Sequence, residues 1–563
     1  MEHGQALQDV LETDLLQLGG SAALLGIFLH ITIFRTSFAV EEHLYNLLGL
    51  YAATVLALVS AYFTSTVYSP TQVLGRVSLI AFSFNTGLFS SISIYRLFFH
   101  RLHRFPGRFG SKLTRFYDAY LSAKNLQYNV ELKKLHEKYG DFVRTGPREI
   151  SILRKSAVPL IYGPQSECLK SLWYAQLNVD HTKISMNLSR DFDDHRKRRR
   201  AWDRAFSIKS LNIYEPRVIA QAGKLVAQID ANPGKPFDAT AWTMFFGFDI
   251  MGDIGFGKDF NNLTTGMQHH AIRAVHDHMS LIGVLSHVPW LLNILSNLPG
   301  AANAFSGFFA WCADQIESRR KNWDGKKYPQ DIVSWLVKAF VEDDVSAAPS
   351  ELALHDDSRV VIVAGSETTA STLANAIYFL AKHPKVLTKL QAQLDEVMPN
   401  GPKSWTYDKA KSITYLDDII HETLRIKPSV MTGGYRVTPP KGLQVDEVFI
   451  PGDVNVVVPP QLIQTDEKYY RAPLEFIPER WTERKAEFGT DQAPYYPFSM
   501  GPYGCVGKNL AMMSLRVVIS TLVLRYNITF APGETGEAFD KGALDTFTTI
   551  LPPLQVLFLP RSL

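Results

Sequence analysis

Charge is scarcest where this 563-residue chain begins: between Met1 and His100 only nine residues are Asp, Glu, Lys or Arg. Three stretches carry none: Leu15 to Phe34, Leu44 to Gly75 and Val77 to Tyr95. A transmembrane α-helix needs roughly 18 to 20 predominantly apolar residues, so each stretch is long enough to span a bilayer. A basic start is also missing. Glu2, Asp9, Glu12 and Asp14 precede the first arginine, Arg35, which excludes the positively charged opening of a cleavable signal. Nor do the three runs carry the polar face of a soluble surface helix. Ser78, Ser83, Asn85, Thr86, Ser90, Ser91 and Ser93 dilute the third, so the expectation is up to three spans.

Net charge is nearly absent too. With 58 Lys plus Arg against 55 Asp plus Glu the balance is +3, too little over this length to hold a nucleic acid by its field. Cysteine is rare. Cys168, Cys312 and Cys505 are widely spaced, which excludes a disulfide framework and a CxxC zinc site and favours a reducing compartment. The chain has no low-complexity tract or obvious repeat, and 46% of its residues are hydrophobic, so it is neither largely disordered nor a solenoid.

After Arg96 the character changes. The segment RLHRFPGRFGSKLTR holds Arg101, Arg104, Arg108, Lys112 and Arg115 with no acid, which by the positive-inside bias marks a cytosolic flank. Three spans would leave the acidic N-terminus on the far side. Phe105-Pro106-Gly107 stops any helix leaving the membrane. The expected organisation is a membrane anchor over residues 1–100 and a cytosolic domain over 101–563. That domain reads as mainly α with small β-sheets. DFVRTGPREISIL (141–153) has the pattern of two strands around Gly146-Pro147, and 434–460 that of several more. Helical patterns run after Pro384, through ITYLDDIIHETLRI and through KNLAMMSLRVVISTLVLRY.

Cys505 lies in PFSMGPYGCVGKNLA, 497–511, where glycines let backbone approach a bulky planar group. The apolar helix opening after it should direct free N–H groups and a positive dipole end at the sulfur, which favours thiolate. Chemistry alone leaves two uses open, nucleophile or soft metal ligand. Phe498, Gly501, Cys505 and Gly507 together resemble the haem-binding loop of the cytochrome P450 monooxygenases. More segments match that family in order. HETLR supplies Glu422 and Arg425 on one helical face, and FIPERW supplies Arg480, similar to the family's structural Glu/Arg/Arg triad. VVIVAGSETTASTLANAIYFLAKH, 360–383, is an apolar helical pattern made bendable by Gly365 and its hydroxyls, and resembles the family's oxygen-binding helix. HRKRRRAWDRAFS, 195–207, sets His195 four residues before Arg199, as in the family's propionate-binding pair.

The resemblance implies a cytochrome P450 fold behind N-terminal transmembrane helices, with haem b ligated through its iron by Cys505. It implies haem contacts from Phe498, Gly501, Gly507, His195, Arg199 and Arg436, and proton delivery by Glu367 and Thr368. Tyr503 stands where an arginine commonly meets a propionate; it offers one neutral hydrogen bond and no charge, leaving His195, Arg199 and Arg436 to carry more of that anchoring. Arg196, Lys197, Arg198, Arg200 and Arg204 are expected to form an exposed basic surface for an acidic-faced NADPH–cytochrome P450 reductase. Cys168 and Cys312 match nothing in the family and are taken as structural.

The implied activity is oxidation of a lipophilic small molecule with dioxygen and reductase-supplied electrons, at the endoplasmic reticulum membrane with the catalytic domain facing the cytosol. Phrases such as VRTGPREISI and the multi-span leader look like fungal microsomal members of secondary metabolism. A terpenoid substrate is favoured, with a polyketide, alkaloid or small aromatic as alternatives. Ala364, Thr368, Ser429 to Gly433 and Thr546 to Ile550 are the expected pocket walls. A haem-thiolate isomerase or dehydratase, and a non-catalytic haem sensor or receptor, are the rival readings.

Overall fold

Fifteen residues without a charge follow Asp14, whose carboxylate accepts from the Leu16 N–H (3.0 Å) and caps α1 (Leu15–Leu29). The computed structural model describes residues 13–36, 40–65, 67–175, 178, 180–297 and 303–561. A π-helical turn, His30–Phe34, continues α1; α2 (Leu44–Thr64) and α3 (Pro70–Ile94) follow. The segments Leu15–Phe34, Leu44–Thr64 and Pro70–Phe99 are each long and apolar enough to cross a membrane.

The third begins earlier than the expected Val77. Ser69 and Gln72 form a capping box and Pro70 takes the first helical position, so the turn falls there and Arg76 lies within the helix. Its guanidinium donates to the Thr13 carbonyl (2.9 Å) and lies 4.3 Å from the Tyr68 ring centre. Where α1 meets α3, a Cβ on Gly26 would overlap the Phe84 carbonyl and one on Gly87 the Ala23 carbonyl, so backbones touch directly. His30 Nδ1 and Ser91 Oγ share a hydrogen bond there (2.7 Å).

This first compact unit runs through Arg115 and takes in 144–148, past the expected boundary at residue 100. Arg144, fully buried, accounts for the addition: it donates from its side chain to the Arg96 (2.9 Å) and Pro147 (2.8 Å) carbonyls and from its backbone to Pro106 (2.7 Å).

The second unit, Phe116–Val143 with Glu149–Leu563, is mainly helical. Its site-bearing helices are α4 (Phe192–Ala205), α5 (Ala239–Ile250), α6 (His270–Leu285), α7 (Glu351–Lys382), α8 (Thr414–Ile426) and α9 (Lys508–Arg525). Helix α7 is buried along nearly its whole length and packs against α5, α9 and the Asn303–Lys321 helix. Four short strands pair in the order Glu149–Ile152, Asn455–Val457, Arg436–Val437, Leu169–Lys170; the first pairing is parallel and the others antiparallel. A hairpin of Leu544–Thr546 and Thr548–Ile550 packs on α7.

The helical patterns read after Pro384 and in HETLR form Pro384–Val397 and α8. Helix α7 is continuous through Gly365–Thr369, where a bendable point was expected. Gly365 serves close packing: a Cβ there would overlap the Met251 sulfur. Ser366, Thr368 and Thr372 hydroxyls donate back to the Ile362 (2.6 Å), Ala364 (2.6 Å) and Thr368 (2.8 Å) carbonyls, so these groups are satisfied without opening a turn.

Candidate active site

The loop before α9 folds on its own carbonyls. Cys505 N–H donates to Phe498 O (2.8 Å) and Gly504 N–H to Gly501 O (3.0 Å), while Arg199 reaches over from α4 to Gly504 O (2.7 Å). Gly501 has φ of 64°, and a Cβ there would press on the Tyr162 and Gly163 carbonyls, so glycine is needed for the turn itself. Gly507 differs: a Cβ would meet only Phe206 and the Cys505 sulfur, at 3.7 and 3.9 Å. Phe498 packs half-buried on the main core.

The Cys505 side chain is accessible to solvent although protein surrounds it, as for a group lining an interior recess. Burial pushes its thiol up, against the lowering by the Gly507 and Lys508 N–H groups and the Arg199 and Lys508 charges. Helix-start donors were expected to carry the balance towards thiolate. They are in place, and desolvation outweighs them.

A second cluster stands on the strands Arg436–Val437 and Leu169–Lys170. Lys170 and Arg436 are directly opposed across the antiparallel pair, and both are buried. Like charges opposite one another destabilise a sheet unless something negative lies between them. Among the described residues neither forms a hydrogen bond or ion pair with a carboxylate. The Lys170 ammonium donates to the Asn187 carbonyl (2.6 Å), and Arg436 donates to Tyr174 Oη (3.0 Å) and the Tyr435 carbonyl (3.1 Å). Both cations lie 4.8 Å from the Tyr503 ring centre, and His195 meets the same ring edge-on at 4.7 Å. Burial and then the charges of Lys170, Arg199, Arg198 and Arg436 push His195 well below the ordinary imidazole range, so it is neutral near pH 7.

Four buried groups here point at one chemistry. His195 Nδ1, Arg436 Nε and Tyr503 Oη have no hydrogen-bond partner; the Lys170 backbone lies near the phenol oxygen without reaching bonding geometry. Burial, with Arg436, holds Lys170 well below its usual value. Such a donor set with no acid of its own fits a carboxylate-bearing dianion, as the two propionates of a haem would be. Arg199 contributes less freely than expected, because Asp203 takes its Nε (2.8 Å) and Gly504 one terminal nitrogen.

On α7, Glu367 and Thr368 face different neighbours. Thr368 is half-buried beside exposed Ala364, a break in an otherwise buried stretch of the helix. Glu367 is buried, accepts from Thr548 Oγ1 on the hairpin, and leaves Oε1 without a hydrogen bond, 3.8 Å from His276 Nε2 on α6. Burial pushes its carboxyl up to about 7. Among the described residues no hydrogen bond joins Glu367 to Thr368. The same hairpin carries Asp545, pushed by burial up to about 6 and bound by Thr432, while Thr549 N–H donates to Ser429 O (2.9 Å). These contacts bring the expected walls Ser429 to Gly433 and Thr546 to Ile550 together.

Glu422, Arg425 and Arg480 meet as expected, fully buried. The carboxylate accepts from Arg425 (2.8 and 2.9 Å), Arg480 (2.9 Å), Ile477 N–H (3.0 Å) and Trp481 (3.1 Å). The basic surface on α4 is smaller than expected: Arg198 is buried against Asp357 (2.9 Å), leaving Arg196, Lys197, Arg200 and Arg204 exposed. His195, Arg198, Ala201, Trp202 and Ala205 share the buried face, a 3.6-residue pattern legible in the sequence. Lys170, Tyr174 and His276 were not anticipated. The signal for Lys170 was slight, a single charge inside the otherwise uncharged CLKSLWYA.

Residues 112–558 match the family model described as Cytochrome P450. A cytochrome P450 monooxygenase of Fusarium pseudograminearum, FCK2, is 36% identical over 96% of this chain and 97% of its own length. Another from Eupenicillium brefeldianum, orf5, is 39% identical over 86% of this chain and 96% of its own. The tryprostatin B 6-hydroxylase of Neosartorya fischeri is 29% identical over 96% of this chain and 98% of its own.

Proposed function

The chain belongs to the cytochrome P450 family of monooxygenases, and on that footing we propose that it hydroxylates or otherwise oxidises a lipophilic secondary metabolite, with haem b held through its iron by Cys505. The family implies a haem-thiolate centre; the observation that carries the assignment of residues is the acid-free cluster of buried donors beside the Cys505 loop. Bound haem supplies dioxygen activation and transfer of one oxygen atom. His195, Lys170, Arg436 and Tyr503 would hold its propionates. Phe498, Gly501 and Gly507 shape the loop, and Arg199 braces it through Gly504 O.

Glu367 and Thr368 are assigned to proton handling. A carboxyl that titrates near pH 7 both takes up and gives up a proton under working conditions, and Thr368 brings a hydroxyl that rests on the Ala364 carbonyl (2.6 Å). Loss of either would leave binding intact and disturb delivery.

A terpenoid is the favoured substrate, with a polyketide, alkaloid or small aromatic as alternatives. A relative named for 6-hydroxylation of tryprostatin B supports hydroxylation as the reaction class. Electrons are assigned to NADPH–cytochrome P450 reductase docking on the exposed α4 cations, and the three apolar helices to anchorage in the endoplasmic reticulum membrane with the second unit in the cytosol.

The deciding experiment is Cys505→Ala in the full chain. Its reduced carbon monoxide difference spectrum should lose the thiolate-haem band, and an unchanged band would overturn the ligand assignment.

A further inference from the structure

Glu367 has one oxygen fixed and one free of hydrogen bonds, and the free one faces another helix. Oε2 accepts from Thr548 Oγ1; Oε1 is buried without a hydrogen bond, and the nearest titratable atom is His276 Nε2 at 3.8 Å. His276 differs from its partner in one respect that matters for proton traffic. Its side chain is 32% exposed whereas that of Glu367 is 1% exposed, so the imidazole meets solvent and the carboxyl does not. We propose that His276 admits protons to the site, passing them to Glu367 Oε1, and that Thr548 holds the carboxylate in the receiving position. This rests on the assignment of Glu367 and Thr368 to proton handling.

The step is a plain transfer. The N–H bond at His276 Nε2 breaks, an O–H bond forms at Glu367 Oε1, and Nε2, the one ring nitrogen then without a proton, is protonated again from water when the ring turns it outward. A shift of roughly 1 Å brings the two atoms from their present separation to hydrogen-bonding range. Direction is built in. Burial lowers His276 below its ordinary value while burial raises Glu367 to about 7, so an imidazolium here is the stronger acid and the transfer runs downhill.

The surroundings leave this pair to itself. On α6, Asp277 favours charged His276. On α7, Asp356 and Arg359 act on His278. On the hairpin, Thr548 binds Glu367, and Asp545 is engaged by Thr432. On α5, Asp249 is taken by Asn262 and Leu263. Burial is the largest influence on how each titrates, with Asp277 acting on His276 and Thr548 on Glu367, and the 3.8 Å between them makes the protonation of one felt by the other.

Two readouts on the full chain separate this proposal from the one beneath it. By infrared difference spectroscopy, the protonated-carboxyl band lost in Glu367→Gln should grow in two steps as pH falls in the wild type, and in one step in His276→Gln. With reductase, NADPH and dioxygen, and no added organic substrate, Glu367→Gln and His276→Gln should each slow NADPH oxidation on the order of tenfold or more, with a larger solvent deuterium isotope effect and an unaltered carbon monoxide spectrum. His276→Asn serves in the same role if the Gln variant fails to load haem. A single-step wild-type titration, or slowing by Glu367→Gln alone, overturns the role of His276. Slowing by neither variant overturns the proton-handling assignment as well.

Discussion

Replacing Lys170 with methionine tests the anion-binding cluster with opposite expected signs for the two forms of the protein. Lys170 and Arg436 are cross-strand partners, and each lies 4.8 Å from the centre of the same Tyr503 ring, so their charges are at most about 10 Å apart. At an effective dielectric near 20, two full charges at that separation repel by at least about 1.7 kcal/mol, which adds to the desolvation of a buried ammonium. Burial and then the Arg436 charge therefore hold the lysine well below its ordinary value until a carboxylate arrives. A carboxylate about 4 Å from either head group returns about 4 kcal/mol at the same dielectric, more than enough to reverse the balance and protonate the amine. Haem loading should thus raise Lys170 back towards its ordinary value and be accompanied by proton uptake. Calorimetry of haem binding in buffers of differing ionisation enthalpy counts that proton directly. Lys170→Met should bind haem more weakly without proton uptake, while its apoprotein unfolds no more easily than the wild type, since an apolar side chain replaces a buried amine. Wild-type loading without proton uptake, or a variant that binds haem as tightly as the wild type, would refute the reasoning.

Glu422→Gln removes the carboxylate that pairs with both Arg425 and Arg480, themselves fully buried, and should cost about 3 to 5 kcal/mol, read as early thermal loss of the haem spectrum of the full chain; a loss below about 1 kcal/mol would show that the two guanidiniums are satisfied by backbone carbonyls alone. Thr368→Ala should keep the haem spectrum and divert NADPH electrons from product to peroxide, and unaltered coupling would remove Thr368 from proton handling.

What the sequence made legible was local. The runs that form α1 to α3 show in the absence of charge, and α8 and α9 show in periodicity. The Cys505 loop needed only a short motif, because it is held mainly by its own backbone, and the Glu422 cluster needed two short motifs, HETLR and FIPERW, taken in order. The Glu367 environment was not legible. His276 and Thr548 lie far from it in sequence and arrive only through the packing of α6 and the hairpin on α7, for which single-chain patterning holds no register. Lys170 was hidden for a related reason: its opposition to Arg436 is a strand pairing between distant segments. Two expectations failed on energetics. Donors at the start of α9 predicted an easily ionised Cys505, yet burial outweighs them. Gly365 suggested a weak point in α7, yet the Met251 sulfur against it and the back-bonded hydroxyls around it keep the helix whole.

That contact between Gly365 and Met251 also ties the two positions together in heredity. A side chain at 365 would overlap the thioether, so it needs the flexible Met251 side chain to turn aside or be trimmed, and a smaller residue at 251 leaves a hole until 365 fills it. In a lineage descending from this chain substitutions at the two sites should therefore be coupled. The centre of the longest helix is thus reachable by a narrow set of single steps, and diversification of substrate use has freer routes through the hairpin and the Ser429 to Gly433 wall.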